Sequence, residues 1–207
     1  MKGWYRASDI DGEDAYTITP TPSIYEPTTV GDLLDLGDQQ DRYFAVHEAA
    51  HAVLARAAGG HISEVALMPA GHGEGPAGHV NWMCPPADTQ GEWDDLAAVH
   101  AGGEQGAARW LRDRGLHTPV RAWATELSSL NDRNVARRWA GADVVTDDPT
   151  SAHDWRRLGA LAWERLDERW DEVEELAQDL QKHRRLTPEN YPLNRPRRRG
   201  PFGRGRR

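Results

Sequence analysis

Between Asp38 and the pair Gly59-Gly60 lies DQQDRYFAVHEAAHAVLARAA, and no other stretch limits the fold as tightly. Phe44, Ala50, Val53, Leu54 and Ala57 repeat near the helical period, which predicts a helix over Asp38 to Ala58. Asp38 offers an oxygen to cap its start, and the two glycines accept the left-handed conformation that ends helices. Inside it stand His47, Glu48 and His51, in the pattern H-E-x-x-H. Positions four apart lie one turn apart on one face, so both imidazoles can reach one metal ion. Burying two unpaired histidines in an Ala/Val/Leu helix is costly unless something binds them. The bland alternative is a solvated face on which the motif carries no chemistry.

The remaining pattern describes an α+β, mainly α, domain. Ile62, Val65 and Leu67 predict a short strand over His61–Pro69. A Gly-rich loop over Ala70–Gly78 follows, and His79–Met83 returns as a second strand, making a small β-hairpin. Residues 91–115 read as a helix with Trp93, Leu96, Val99, Ala107, Trp110 and Leu111 inward. Its Gly102, Gly103 and Gly106 suit close approach to a neighbouring helix. A further helix is expected over 120–140, and one long helix from Ser151 to Arg185. Residues 1–37 form an N-terminal arm, largely extended or disordered, from which Trp4 and Tyr5 can dock on the body. The domain proper spans 38–186, and 187–207 is a basic Pro/Arg/Gly-rich tail.

Charge and composition exclude some classes. The formal net charge is −8, yet residues 195–207 carry seven Arg and no acid, leaving −15 on the rest (−8 − 7). An acidic body argues against general nucleic-acid binding, while the tail can contact nucleic acid or an anionic surface locally. No apolar run reaches the roughly 20 residues that span a bilayer, and the N-terminus lacks the apolar core of a signal peptide. The lone Cys84 permits no intrachain disulfide and reads as a spare thiol. A cytoplasmic location is the resulting expectation.

If the histidines hold zinc, Glu48 sits where it can activate a zinc-bound water as general base and return the proton to the leaving amine. A catalytic zinc needs a third protein ligand. His61 closes a turn and is disfavoured; Asp154, in the first turn of the last long helix, is the better choice by position. The competing reading of Asp154 is a helix cap, since Ser151-x-x-Asp154 resembles a capping box. His72, His79 and His153 either line the site or are solvated loop histidines.

Four stretches in order resemble the peptidase domain of the FtsH family, the membrane-bound AAA+ zinc metalloproteases. AVHEAAHAVLA is similar to that family's zinc helix, and HISEVALMPAG to the strand after it. VHAGGEQGAARWL resembles its glycine- and alanine-rich helix, and SAHDWRRLGALAWERL the helix opened by its third zinc ligand, an aspartate. The resemblance covers about residues 39–182. It implies a helical zincin-like fold, one zinc per chain held by His47, His51 and Asp154, and Glu48 as catalytic base. It also implies that the hairpin pairs with extended substrate by strand addition, which points to Val65, Leu67, Gly78 and His79; a plain surface loop is the alternative. The chain departs from the family at Ala50, where glycine is usual, and near Gln105-Gly106, where an acid is missing. It has no Walker A sequence.

The expectation is an ATP-independent zinc endopeptidase acting on unfolded or flexible polypeptide, alone or with a separate unfoldase or regulator protein. The alternative is a non-catalytic or regulatory zinc protein that binds a protein partner, or nucleic acid through the Arg-rich tail. The family forms hexamers, so a homo-oligomer is a further expectation.

Overall fold

The computed structural model describes residues 3–8, 14–23, 29–68, 78–140 and 143–194. They form an α+β, mainly helical fold organised around one helix. Strands β1 (Tyr5–Ser8) and β2 (Asp14–Thr17) pair antiparallel. Helix α1 (Val30–Leu34) and a 3₁₀ turn (Gly37–Gln39) lead into α2 (Gln40–Ala57). Strands β3 (His61–Leu67) and β4 (Gly78–Met83) follow, then α3 (Gln90–Asp113), α4 (Pro119–Ser128) and α5 (Leu130–Ala140). The chain closes with α6 (Trp155–Asp167), α7 (Trp170–His183) and β5 (Arg185–Leu186).

Helix α2 carries the expected motif but is more than amphipathic. Tyr43 and every residue from Ala45 to Ala55 are buried, because α3, α7 and β3 enclose it. Small side chains make that enclosure feasible. A Cβ on Gly102 would stand 2.8 Å from Leu54 Cδ1, and one on Gly106 would stand 2.6 Å from Ala50 Cβ. The glycines of α3 therefore admit α2 at close range, as expected from the sequence. They also explain Ala50, whose methyl fills the space that Gly106 leaves.

The hairpin forms as expected, and β5 adds to its other side, giving the order β4-β3-β5. Most of the loop expected over 70–78 lies outside the described residues.

Other expectations are corrected. The helix expected over 120–140 is two, α4 and α5, separated at Ser129, and the one expected over 151–185 is α6 and α7, separated at Glu168-Arg169. The α2 N-cap is Gln39 rather than Asp38, which lies in the 3₁₀ turn. Trp93, expected inward, is 45% exposed. Part of the N-terminal arm is regular structure docked on the body: Trp4 is buried and its Nε1 donates to the Thr146 carbonyl, whereas Tyr5 stays exposed. Thr187–Asn194, assigned to the tail, is integral too: Leu193 is buried, and Asn194 exchanges two hydrogen bonds with the Ile62 backbone. Residues 195–207 lie outside the described residues. No described helix is long and apolar enough to cross a membrane.

Candidate metal centre

His47 and His51 project from α2 towards α3, and α5 brings a third group to them. His51 Nε2 is 3.1 Å from His47 Nε2, and Asp132 Oδ2 is 3.3 Å from each. These three atoms form a cluster able to hold a metal ion. Both histidines are buried and Asp132 nearly so.

Each member is positioned by its helix. The 18-residue α2 sets the two imidazoles one turn apart. His51 Nδ1 lies 2.7 Å from the Val99 carbonyl on α3, which fixes the ring with Nδ1 as donor and leaves the Nε2 lone pair for the cluster. Asp132 stands in the first turn of α5. On the α3 side only a glycine fits. A Cβ on Gly103 would lie 2.3 Å from His51 Nε2 and 2.4 Å from His47 Nε2. That space, facing the two imidazole nitrogens, is kept free of side chain.

The electrostatics favour positive charge among the three. Burial works against charge on Asp132, yet His51 and His47 hold its carboxyl well below the usual range. Burial likewise opposes charge on His51, but Asp132 overrides it and raises the imidazole to about 9. A cation placed between the groups would meet the same preference.

Glu48 follows the first histidine and is buried. Burial raises its carboxyl above the usual range, against the pull of both histidines. A Cβ on Gly78 would lie 2.6 Å from Glu48 Cγ, so the start of β4 lies directly against this side chain. His100, one turn before Gly103 on α3, is also buried. Burial, reinforced by His51, lowers its imidazole to about 4, so it stays neutral.

The structure places Asp154 elsewhere. It is the N-cap of α6, and its Oδ1 accepts from the Arg156 backbone and Nε at 2.9 and 2.8 Å. Its Oδ2 accepts from Thr146 Oγ1 at 2.7 Å and Arg156 Nη2 at 2.8 Å. With both oxygens committed to the cap, the aspartate beside the histidines is Asp132, which sequence reasoning missed. The signal was there in kind: Asn131-Asp132 opens a helix as His153-Asp154 does. The expected continuous helix over 120–140 put Asp132 mid-helix and hid it.

The hairpin residues separate. Val65 and Leu67 are buried on β3, the middle strand, so they face the core and not a free edge. Among the described residues the edge strands are β4 and the two-residue β5, and Gly78 at the start of β4 touches Glu48. His79 Nε2 is 2.6 Å from Glu64 Oε1, and its charge acts on Glu48. His153 lines a surface cleft, and His72 lies outside the described residues.

Next to Asp132 in sequence, Arg133 anchors a second buried array. Its guanidinium donates to Glu104 Oε2 at 3.0 Å, Glu126 Oε2 at 3.4 Å and the Tyr16 carbonyl at 2.6 Å. Trp155 Nε1 donates to Glu104 Oε2 at 2.9 Å, and Glu126 accepts from the Ile18 and Thr19 backbone. The array ties the N-terminal strands to α3, α4, α5 and α6.

No protein-family model and no curated protein sequence matches the chain.

Proposed function

We propose that the chain is a zinc-dependent endopeptidase acting on unfolded or flexible polypeptide, with a zincin-like site formed by His47, His51, Asp132 and Glu48. One observation carries the reading. The Nε2–Nε2–Oδ2 triangle has edges of 3.1, 3.3 and 3.3 Å. Nitrogen and oxygen ligands about 2.0–2.1 Å from a tetrahedral zinc stand about 3.3–3.4 Å apart, so the triangle fits one face of such a site. The space under Gly103 and the preference of the three groups for a cation support the fit. The resemblance to FtsH-type peptidase domains assigned the third ligand to Asp154; in this reading Asp132, in the first turn of α5, takes that place.

Zinc, when bound, supplies Lewis acidity towards a peptide carbonyl and towards water. The chain's own residues supply the rest. Val99 holds the His51 tautomer that presents Nε2. Glu48, buried beside the histidines, accepts a proton from the attacking water and returns it to the departing amine. Its raised affinity for protons suits the acceptor role, because a base poised nearer neutrality both takes and gives a proton readily. The free edge of β4 starts at Gly78, beside Glu48, and offers backbone groups to an extended peptide.

The test pairs metal analysis with proteolysis. Purified protein should hold one zinc per chain and cut casein, while Glu48→Gln keeps its zinc and loses cleavage by about 10²–10⁴-fold. Zinc in both with cleavage in neither would leave a zinc-binding protein without peptidase activity; no zinc in either would remove the reading.

A further inference from the structure

The metal cluster lies at one end of a row of aromatic groups. On α3, Gly103 touches both histidines; one turn back is His100, another turn back Ala97, and then Trp93. On α5, Trp139 stands two turns beyond Asp132. On β4, Trp82 stands four residues beyond Gly78, which packs on Glu48. Three elements thus leave the cluster together, and their aromatic residues gather at the far end. Trp82 and Trp139 stack at 5.9 Å and 22°. His100 meets Trp139 at 5.5 Å and Trp82 at 6.2 Å, and its Nε2 is buried without a hydrogen-bond partner among the described residues.

Beside this stack opens a cleft of about 270 Å³, lined by Trp93, Ala97, Trp139, Gln90, Asp94 and His153. Trp93 and Trp139 are 45% and 41% exposed. Single exposed apolar residues are ordinary, but two indoles lining one cleft over a third form a patch that gains by being covered. The volume falls just short of the roughly 300 Å³ at which whole small-molecule sites begin, which suits a single side chain.

We infer that this cleft is a specificity subsite that takes an aromatic side chain of the peptide, and the inference rests on the peptidase reading above. The distances set the offset. Ala97 to Gly103 is six residues of helix, about 9 Å, and Asp132 to Trp139 is seven, about 10 Å. An extended peptide advances about 3.3 Å per residue, so the occupant lies about three residues from the bond that is cut. An aromatic ring fits better than an aliphatic chain, since stacked or edge-on contact with indoles adds to its area burial.

The test uses the full chain with zinc and a series of blocked Ala/Ser peptides, each carrying one Phe at a different position. Wild type should cut at a fixed offset of two to four residues from Phe, at least about 10-fold faster than the parent peptide. Trp139→Ala should bring that ratio close to one; Trp93→Ala, on the other wall, does the same if Trp139→Ala fails to fold. Cutting with no fixed offset, or a preference untouched by both variants, overturns the subsite. If wild type cuts nothing, the peptidase reading fails separately, and binding then decides. The zinc-loaded Glu48→Gln chain should bind a Phe peptide at least about 10-fold tighter than the parent, and adding Trp139→Ala should remove the difference. Equal binding of the two peptides overturns it.

Discussion

Asp132 and Asp154 look alike in sequence and are placed in opposite ways. Each stands at the start of a helix, and each is followed directly by an aromatic or an arginine: Arg133 after the first, Trp155 after the second. Asp154 spends both oxygens on its own helix start, through the Arg156 backbone, the Arg156 guanidinium and Thr146. Asp132 instead faces another helix, and its Oδ2 meets two imidazoles contributed by α2. A carboxylate at a helix N-terminus is stabilised locally whether or not it does anything else. What separates a cap from a ligand is the register of its helix against its neighbours, which no local pattern encodes.

The largest expected effect falls on the metal. Asp132→Ala should weaken zinc by more than about 100-fold, the upper end of what losing only a supporting hydrogen bond does. Asp154→Ala should leave one zinc per chain. Competition with a chelator of known affinity measures both, and the opposite outcome would reverse the assignment of the two aspartates. Gly103→Ala sharpens the point, because it removes none of the three groups. Its Cβ would come within 2.4 Å of both imidazole nitrogens, so zinc should be lost to a similar degree although His47, His51 and Asp132 all remain.

The next effect falls on stability, one residue from Asp132. Arg133 is the shared partner of Glu104 and Glu126, and all three side chains are buried. Arg133→Ala leaves two carboxylates facing each other without a counter-charge, and breaking a buried pair in this way costs about 3–5 kcal/mol. Denaturant unfolding in the presence of chelator isolates this from any change in metal binding. A loss below about 1 kcal/mol would mean that the array does not hold the N-terminal strands to the body.

How far the sequence could be read follows the same division between local and non-local information. Helix α2 was legible because the H-E-x-x-H spacing, the small residues and the Gly59-Gly60 stop all lie within it. The glycine stripe of α3 was legible as a packing face, since three missing side chains within five residues have few other uses. The breaks at Ser129 and at Glu168-Arg169 were not, because neither contains proline or glycine. The N-terminal strands are four residues each, too short to show an alternation. Their place is set by Arg133 and Glu126 more than a hundred residues away. His47, Glu48 and His51 were therefore found from sequence, and the third member of the cluster was lost with the helix boundary that presents it.

The smallest expected effect concerns Asp154 and separates a cap from a ligand by pH. Burial opposes charge on Asp154, but its hydrogen bonds from Arg156 and Thr146 outweigh this and hold its carboxyl below the usual value of 3.8. A carboxylate whose affinity for protons is lower in the folded state stabilises the fold above its unfolded pKa. That contribution is lost as the pH falls through the folded value. Asp154→Ala should therefore cost about 2 kcal/mol near neutrality, from the lost cap and the partners left unpaired. The difference from wild type should stay constant down to about pH 4 and shrink below it. Urea unfolding of the metal-free proteins across this range measures the difference directly. Had Asp154 been the ligand, its removal would instead cost little stability in chelator and most in saturating zinc, so the zinc dependence of the loss tells the two roles apart.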